Sequence, residues 1–182
     1  YEYRKNVDGK WETVDDYVLC NAVFDEEWDY ITFQETSKTC GLRESYEKSL
    51  DGLLDYVEDL NTGATFIWHM TWAYQQDSTH SGFAMHNNDQ MTMYNAIVNA
   101  VNEKILTNSK IEIVIPSGTS IQNVRTSLIG DMTRDGYHLS YGLGRYIASM
   151  TFVKALTGLS IDNSVTVPSD VNDIELTAII ES

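Results

Sequence analysis

Hydrophobic positions along the chain fall into two kinds of run. Compact blocks of β-branched and aromatic residues occur three times, as WDYITFQ (28–34), ATFIWHMTW (64–72) and IEIVIP (111–116). Each has the length of a buried strand. Between and after them, apolar residues return every three or four positions. LRESYEKSLDGLLDYVEDLN (42–61) sets Tyr46, Leu50, Leu53, Leu54 and Val57 at helical spacing, and Asn61 and Gly63 close it. DQMTMYNAIVNAVNEKIL (89–106) is a second amphipathic helix, and YGLGRYIASMTFVKALTG (141–158) a third, stopped by Gly158.

The flanking segments carry weaker patterns. YEYRKNVDGKWETV (1–14) alternates aromatic and polar residues about Asp8-Gly9, which predicts a β-hairpin. DDYVLCNAVFDEE (15–27) predicts a short helix opening at Asp15 or Asp16. SGTSIQNVRTSL (117–128) turns into a short helix or an irregular segment, SVTVP (164–168) is extended, and SDVNDIELTAIIES (169–182) is a final helix capped by Ser169 or Asp170. Residues 73–88 form a long polar loop of the kind that often carries function.

Strand, helix, strand, helix, strand, helix is the order of a parallel sheet covered by helices, so the fold class is α/β. Sites in such sheets form at the carboxyl ends of the strands. Three polar clusters fall there: Gln34, Glu35 and Ser37 after the first strand, His69, Trp72 and Gln75 at the second, and the stretch from Ser117 to His138 after the third. No Gly-rich loop follows a strand, which argues against a dinucleotide or P-loop site.

Composition narrows the partners. The 182 residues suit one domain over 1–182, and 42% hydrophobic content is enough for a core. A formal net charge of −15 disfavours nucleic acid, whose phosphates call for basic patches. No apolar run approaches the ~20 residues of a membrane span. Cys20 and Cys40 read as buried free thiols ahead of a bridge. The chain opens at Tyr1 with no signal-peptide pattern, and is expected to be an internal piece or a processed product.

The most chemical stretch is DMTRDGYHLS (131–140), which places Asp135 three residues before His138. With 15 Asp and 4 His, about 0.3 such spacings arise by chance, so context has to carry the motif. It lies after the last strand and before a long helix, where a histidine can face the active edge. An aspartate there can bond one imidazole nitrogen and leave the other as a general base. The alternative is that Asp135 caps a turn and His138 packs.

DYITFQETS, FIWHMTWAYQ, IPSGTSIQNVRTS and TRDGYHLSYGLGRYIASMTFVKALTG together resemble a family of bacterial domains within the SGNH (GDSL-like) hydrolases. The resemblance covers nearly the whole chain. It implies a three-layer sandwich around a parallel flavodoxin-like sheet, and a serine esterase. It makes Asp135 and His138 the acid and base. Where the family usually has G-x-N-D, this chain has FQETS, so Gln34 becomes the candidate oxyanion donor.

The family's serine lies in a G-D-S or G-N-S block after its first strand, and neither that block nor the second is present. The one G-x-S, Gly118-Thr119-Ser120, follows the wrong strand, and Ser37 and Ser140 sit in no nucleophile turn. The resemblance therefore implies a domain whose N-terminal strands and nucleophile are missing. Strand 29–34 would be left as a raw edge, which a missing N-terminal segment or a second chain would complete. The expected substrate is a small-molecule or glycan ester, with O-acylated carbohydrate first by analogy. The chain alone is expected to be inactive, and family habit suggests export.

Candidate substrate-binding residues are Trp72, which could stack on a sugar beside Trp68 and Tyr74, Arg125, which could bind a carboxylate, and Ser37. Core packing and a salt bridge are the structural alternatives for the aromatics and the arginine. His69, His80 and His86 with Asp77 match no metal spacing, so no metal and no cofactor is expected. The rival function is a non-catalytic glycan-binding or interaction domain that keeps the fold and the cleft.

Overall fold

The computed structural model describes residues 1–61, 63–127, 129–160 and 166–181. An antiparallel hairpin of β1 (Tyr3–Val7) and β2 (Lys10–Val14) comes first, with Val7 opposite Lys10. Its turn residues Asp8 and Gly9 have φ of 50° and 81°, the pair of positive values that a two-residue hairpin turn requires. The short helix that follows, α1 (Leu19–Phe24), begins later than the sequence pattern suggested. Asp16 has a φ of 56° and lies in a left-handed turn, so neither Asp15 nor Asp16 starts the helix.

The parallel sheet contains β3 (Tyr30–Phe33), β4 (Thr65–His69) and β5 (Ile113–Ile115), in that order. Ile31 lies opposite Phe66, and Trp68 opposite Val114. Helix α2 (Arg43–Leu60) joins β3 to β4, and α3 (Gln90–Ala100), extended by a π turn over Val101–Ile105, joins β4 to β5. Their apolar stripes meet Phe33, Phe66 and Trp68 in one core cluster with Tyr46, Leu54, Met93 and Ile97. Leu54 is fully buried there, and truncating it to alanine should cost about 2–5 kcal/mol. Leu53, counted into the same stripe from spacing, is 37% exposed, because it falls on the flank of the face that Tyr46, Leu50, Leu54 and Val57 share.

A second cluster joins α4 (Ser117–Arg125), α5 (Leu143–Thr157) and α6 (Asp173–Glu181) through Ile121, Leu143, Ile147 and Ile179. Phe152 of α5 meets His69, which alternates with Trp68 and so faces away from α2 and α3. Helices therefore lie on both sides of the sheet.

The ends of the elements follow their side chains. Asn61 ends α2: its N–H bonds the Val57 carbonyl and its Oδ1 accepts from the N–H groups of Gly63 and Ala64. Asp89 caps α3 by accepting the Thr92 N–H at 2.7 Å. Gly158 stops α5 with a φ of 68°. The last helix starts beyond Ser169 and Asp170. Asn172 accepts the N–H groups of Ile174 and Glu175, while Glu175 accepts the Asn172 N–H, which makes a capping box. Of the extended segment expected over 164–168, residues 164 and 165 lie outside the described residues, and 166–168 are not in a strand.

Two features position the site. The carboxyl ends of β3, β4 and β5 lie side by side. At one margin of the sheet β3 has no partner on its outer side among the described residues. Cys20 and Cys40 are free thiols.

Candidate active site

The loop 132–140 is closed on itself. Thr133 bridges Leu139, the Arg134 N–H donates to the His138 carbonyl at 2.9 Å, and the Ser140 N–H donates to the Met132 carbonyl at 2.8 Å. Gly136 makes the reversal possible. Its φ is 87°, and a Cβ there would lie 3.1 Å from Ser78. Its carbonyl accepts the Gln75 N–H at 2.8 Å, which ties the loop to the segment after β4.

Within this turn Asp135 does two things. Its Oδ1 accepts the backbone N–H of His138 at 2.8 Å and of Tyr137 at 3.3 Å. Its Oδ2 meets His138 Nδ1 at 2.7 Å. The two roles weighed from the sequence, turn cap and partner of the imidazole, therefore fall on the same carboxylate. Desolvation pushes its pKa up, but the His138 side chain and the two backbone N–H groups together hold it down at about 2. An ionised Asp135 accepts only, so Nδ1 of His138 carries a proton, and in a neutral ring Nε2 would present the lone pair. The His138 side chain is 51% exposed, and no described side chain bonds Nε2.

Gln34 follows β3 and sits at the same sheet edge, in a string the sequence did not reveal. Gln34 Oε1 lies 3.1 Å from His69 Nδ1, and His69 Nε2 lies 2.9 Å from Ser117 Oγ. Gln34 is exposed, His69 half-buried and Ser117 fully buried. The three residues stand at the carboxyl ends of β3, β4 and β5 in turn, so the string crosses the whole edge. Burial pushes the His69 pKa below its ordinary value, which keeps the ring neutral.

Trp72 joins the two groups. Its Nε1–H donates to the Tyr137 carbonyl at 2.7 Å, and its ring lies edge-on to His69 at 6.3 Å. It is half-buried and pins the Asp135–His138 loop. Ser37 reaches the same neighbourhood through Tyr74. Its hydroxyl is 3.2 Å from the Tyr74 hydroxyl, and the Tyr74 ring packs on Tyr137, which in turn packs on His138. Trp68 and Tyr74 are buried, at 3% and 0% exposure, so neither offers a ring face for a sugar. The Arg125 side chain is 6% exposed. It donates to the Ala73 carbonyl at 2.9 Å and lies 3.9 Å from Asp131, which places it under the loop after β4.

The remaining histidines have separate tasks. His80 Nδ1 accepts the Gly82 N–H, and His86 is buried. Among the described residues no group of three or more His, Cys, Asp or Glu side chains is placed to hold a metal ion. No described helix is long and apolar enough to cross a membrane.

An open depression of about 390 Å³ lies beside His69, lined by Leu139, Arg145, Ala148 and Phe152. A polar one of about 320 Å³ lies on the Asp135 side, between Gln75, Asp77, Asp131 and Arg134. Asp135 itself lines the polar hollow, and Leu139, next to His138 in sequence, lines the other.

Comparison with known proteins gives this geometry a family. Residues 1–179 match the family described as a domain of unknown function, DUF4886, and the chain belongs to it. A crystal structure of a DUF4886 family protein from Bacteroides uniformis is 38% identical with a TM-score of 0.91, over 100% of this chain and 71% of that one. A protein from Slackia heliotrinireducens, described as a candidate SGNH hydrolase, has the same kind of fold. Its TM-score is 0.50 at 18% identity, over 75% of this chain and 70% of that one. A candidate GDSL-like lipase from Parabacteroides merdae aligns more loosely, with a TM-score of 0.45 at 16% identity, over 62% of this chain and 49% of that one. No curated protein matches the sequence.

Proposed function

We propose that this member of the DUF4886 family carries the acid–base half of a serine acyl hydrolase. Asp135 orients His138, and His138 Nε2 takes the proton from a serine hydroxyl as that oxygen attacks an ester carbonyl. His138 then returns the proton to the departing alkoxide. Gln34 donates an N–H to the oxyanion. The observation that carries the reading is the 2.7 Å contact between Asp135 Oδ2 and His138 Nδ1, on a half-exposed ring whose Nε2 has no partner among the described residues.

The serine is supplied by a segment outside residues 1–182. Two observations support this: no described serine bonds His138 Nε2, and the outer side of β3, next to Gln34, has no partner among the described residues. We assign the substrate to O-acylated carbohydrates, with the polar hollow beside Asp135 suited to sugar hydroxyls. We place the work outside the cytoplasm, as the resemblance to SGNH hydrolases implies.

The test compares residues 1–182 with the complete gene product on nitrophenyl acetate and on an acetylated oligosaccharide. Activity is expected only in the complete protein, and His138→Ala should abolish it. A complete protein that binds acetylated oligosaccharide equally well with and without His138, and hydrolyses neither ester, would establish the binding domain instead.

A further inference from the structure

The string across the sheet edge has a direction, and its buried end sets it. Ser117 Oγ is fully buried, and its one described hydrogen bond is to His69 Nε2. Leaving a buried hydroxyl hydrogen without an acceptor is costly, so the hydroxyl donates to Nε2. A neutral imidazole that accepts at Nε2 carries its proton on Nδ1. Burial of His69 favours that neutral form. The Nδ1–H then has to find an acceptor, and the atom 3.1 Å away is Gln34 Oε1. With Oε1 fixed on the ring, the Gln34 Nε2 group is turned away from His69. It has no described protein partner and belongs to an exposed residue at the carboxyl edge.

We infer that Ser117 and His69 are positioning residues that hold the Gln34 carboxamide with its N–H groups free to face a substrate oxygen. Reversing the string would turn an oxygen outward, and an outward oxygen would repel an oxyanion. The use of the string in catalysis rests on the acyl-hydrolase reading above. The direction of the string does not.

The neighbouring contacts support a fixed ring. His69 is held edge-on between Phe152 at 5.4 Å and Trp72 at 6.3 Å, so it cannot swing to another partner without breaking that packing. Gly118 brings the Ser117 backbone close. A Cβ at that glycine would lie 2.1 Å from the Thr71 carbonyl, and its N–H donates to the Met70 carbonyl at 3.0 Å.

The direct measurement is ¹⁵N NMR of the complete histidine-labelled protein above pH 7. His69 is expected in the pure Nδ1–H form, and an Nε2–H form would overturn the inference. Ser117→Ala removes the donor and should let the Nε2–H form appear. An unchanged pure Nδ1–H state there would leave Ser117 without a part and overturn it too. Gln34→Glu places a carboxylate on Nδ1–H and should shift the His69 titration upward, whereas no shift would mean the contact is absent.

In the complete enzyme, Gln34→Ala should lower kcat about 100-fold, and His69→Phe about tenfold or more, with KM little changed. In the Gln34→Ala background His69→Phe should add almost nothing, and full additivity would count against positioning. Labelling of Ser117 by a serine-reactive fluorophosphonate would make it a nucleophile and overturn the inference. A complete protein without esterase activity would sink the functional reading and leave the tautomer result standing.

Discussion

Two histidines stand at the carboxyl edge, and each has its Nδ1 against a side-chain oxygen. At His138 the oxygen belongs to Asp135, a carboxylate three residues away in a closed loop. At His69 it belongs to Gln34, a neutral amide 35 residues away on another strand. His138 is half exposed and its Nε2 has no partner among the described residues, while His69 is half-buried and its Nε2 is taken by Ser117. A carboxylate can stabilise an imidazolium as it forms, and an amide does so far less. The first arrangement suits a ring that accepts a proton during reaction. The second suits a ring that stays neutral and holds something else in place.

The sharpest way to break this contrast is to remove the two rings in turn. On the acyl-hydrolase reading, His138→Ala in the complete protein should lower kcat by about 10⁴-fold or more, far beyond the loss expected for His69→Phe. Asp135→Asn should approach the His138 loss. An asparagine can keep the turn through its oxygen, but its amide nitrogen would face Nδ1 and favour the wrong tautomer. Steady-state kinetics on an acetyl ester check the order. Equal losses at His69 and His138 would erase the distinction and shift the base to His69.

The contrast also explains what could be read from the sequence. Asp135 and His138 were legible because the interaction is local, so spacing alone brings the groups within reach. The hairpin at Asp8-Gly9, the three strand runs and the stripe on α2 were legible for the same reason. The string Gln34–His69–Ser117 was not, because its members are 35 and 48 residues apart. It depends on the parallel register that aligns three strand ends. The remaining signal is a polar residue at or just beyond the end of each strand, and along the sequence these form three clusters, not one line. Boundaries failed where backbone conformation outweighed composition. Asp16 went into a left-handed turn, and Asn172 with Glu175 formed a better cap than Ser169 or Asp170.

Each site also rests on a glycine, and the two should respond differently to a methyl group. Gly118→Ala drives a Cβ to 2.1 Å from the Thr71 carbonyl, a backbone atom with little room to yield. It should cost about 1–3 kcal/mol or more and disturb the Ser117 end of the string. Gly136→Ala meets Ser78 at 3.1 Å and a φ of 87°, and should cost about 1–2 kcal/mol, mostly from the backbone. Urea midpoints of the two variants give the order. A Gly136 variant less stable than the Gly118 variant would mean that the Asp135–His138 loop is the more tightly built of the two.

The smallest expected effect separates the sites by pH. His69 is pushed below its ordinary value of 6.5 by burial, so the unfolded chain binds more protons than the folded one in the window just under that value. The stability it contributes is fully present above 6.5 and is lost as pH falls through the lowered folded value. His86 is shifted the same way by its own burial and adds to the same window. Asp135 acts in a separate one. Its carboxyl is held at about 2 against an ordinary 3.8, so its contribution is present above 3.8 and is lost as pH falls through about 2. Urea unfolding from pH 7.5 downward should therefore show a first decline beginning near 6.5, and His69→Phe should make it shallower. Asp135→Asn should flatten the acid limb. An acid limb that Asp135→Asn leaves as steep as before would mean that the carboxyl is not held down by His138 and the two backbone N–H groups of its turn.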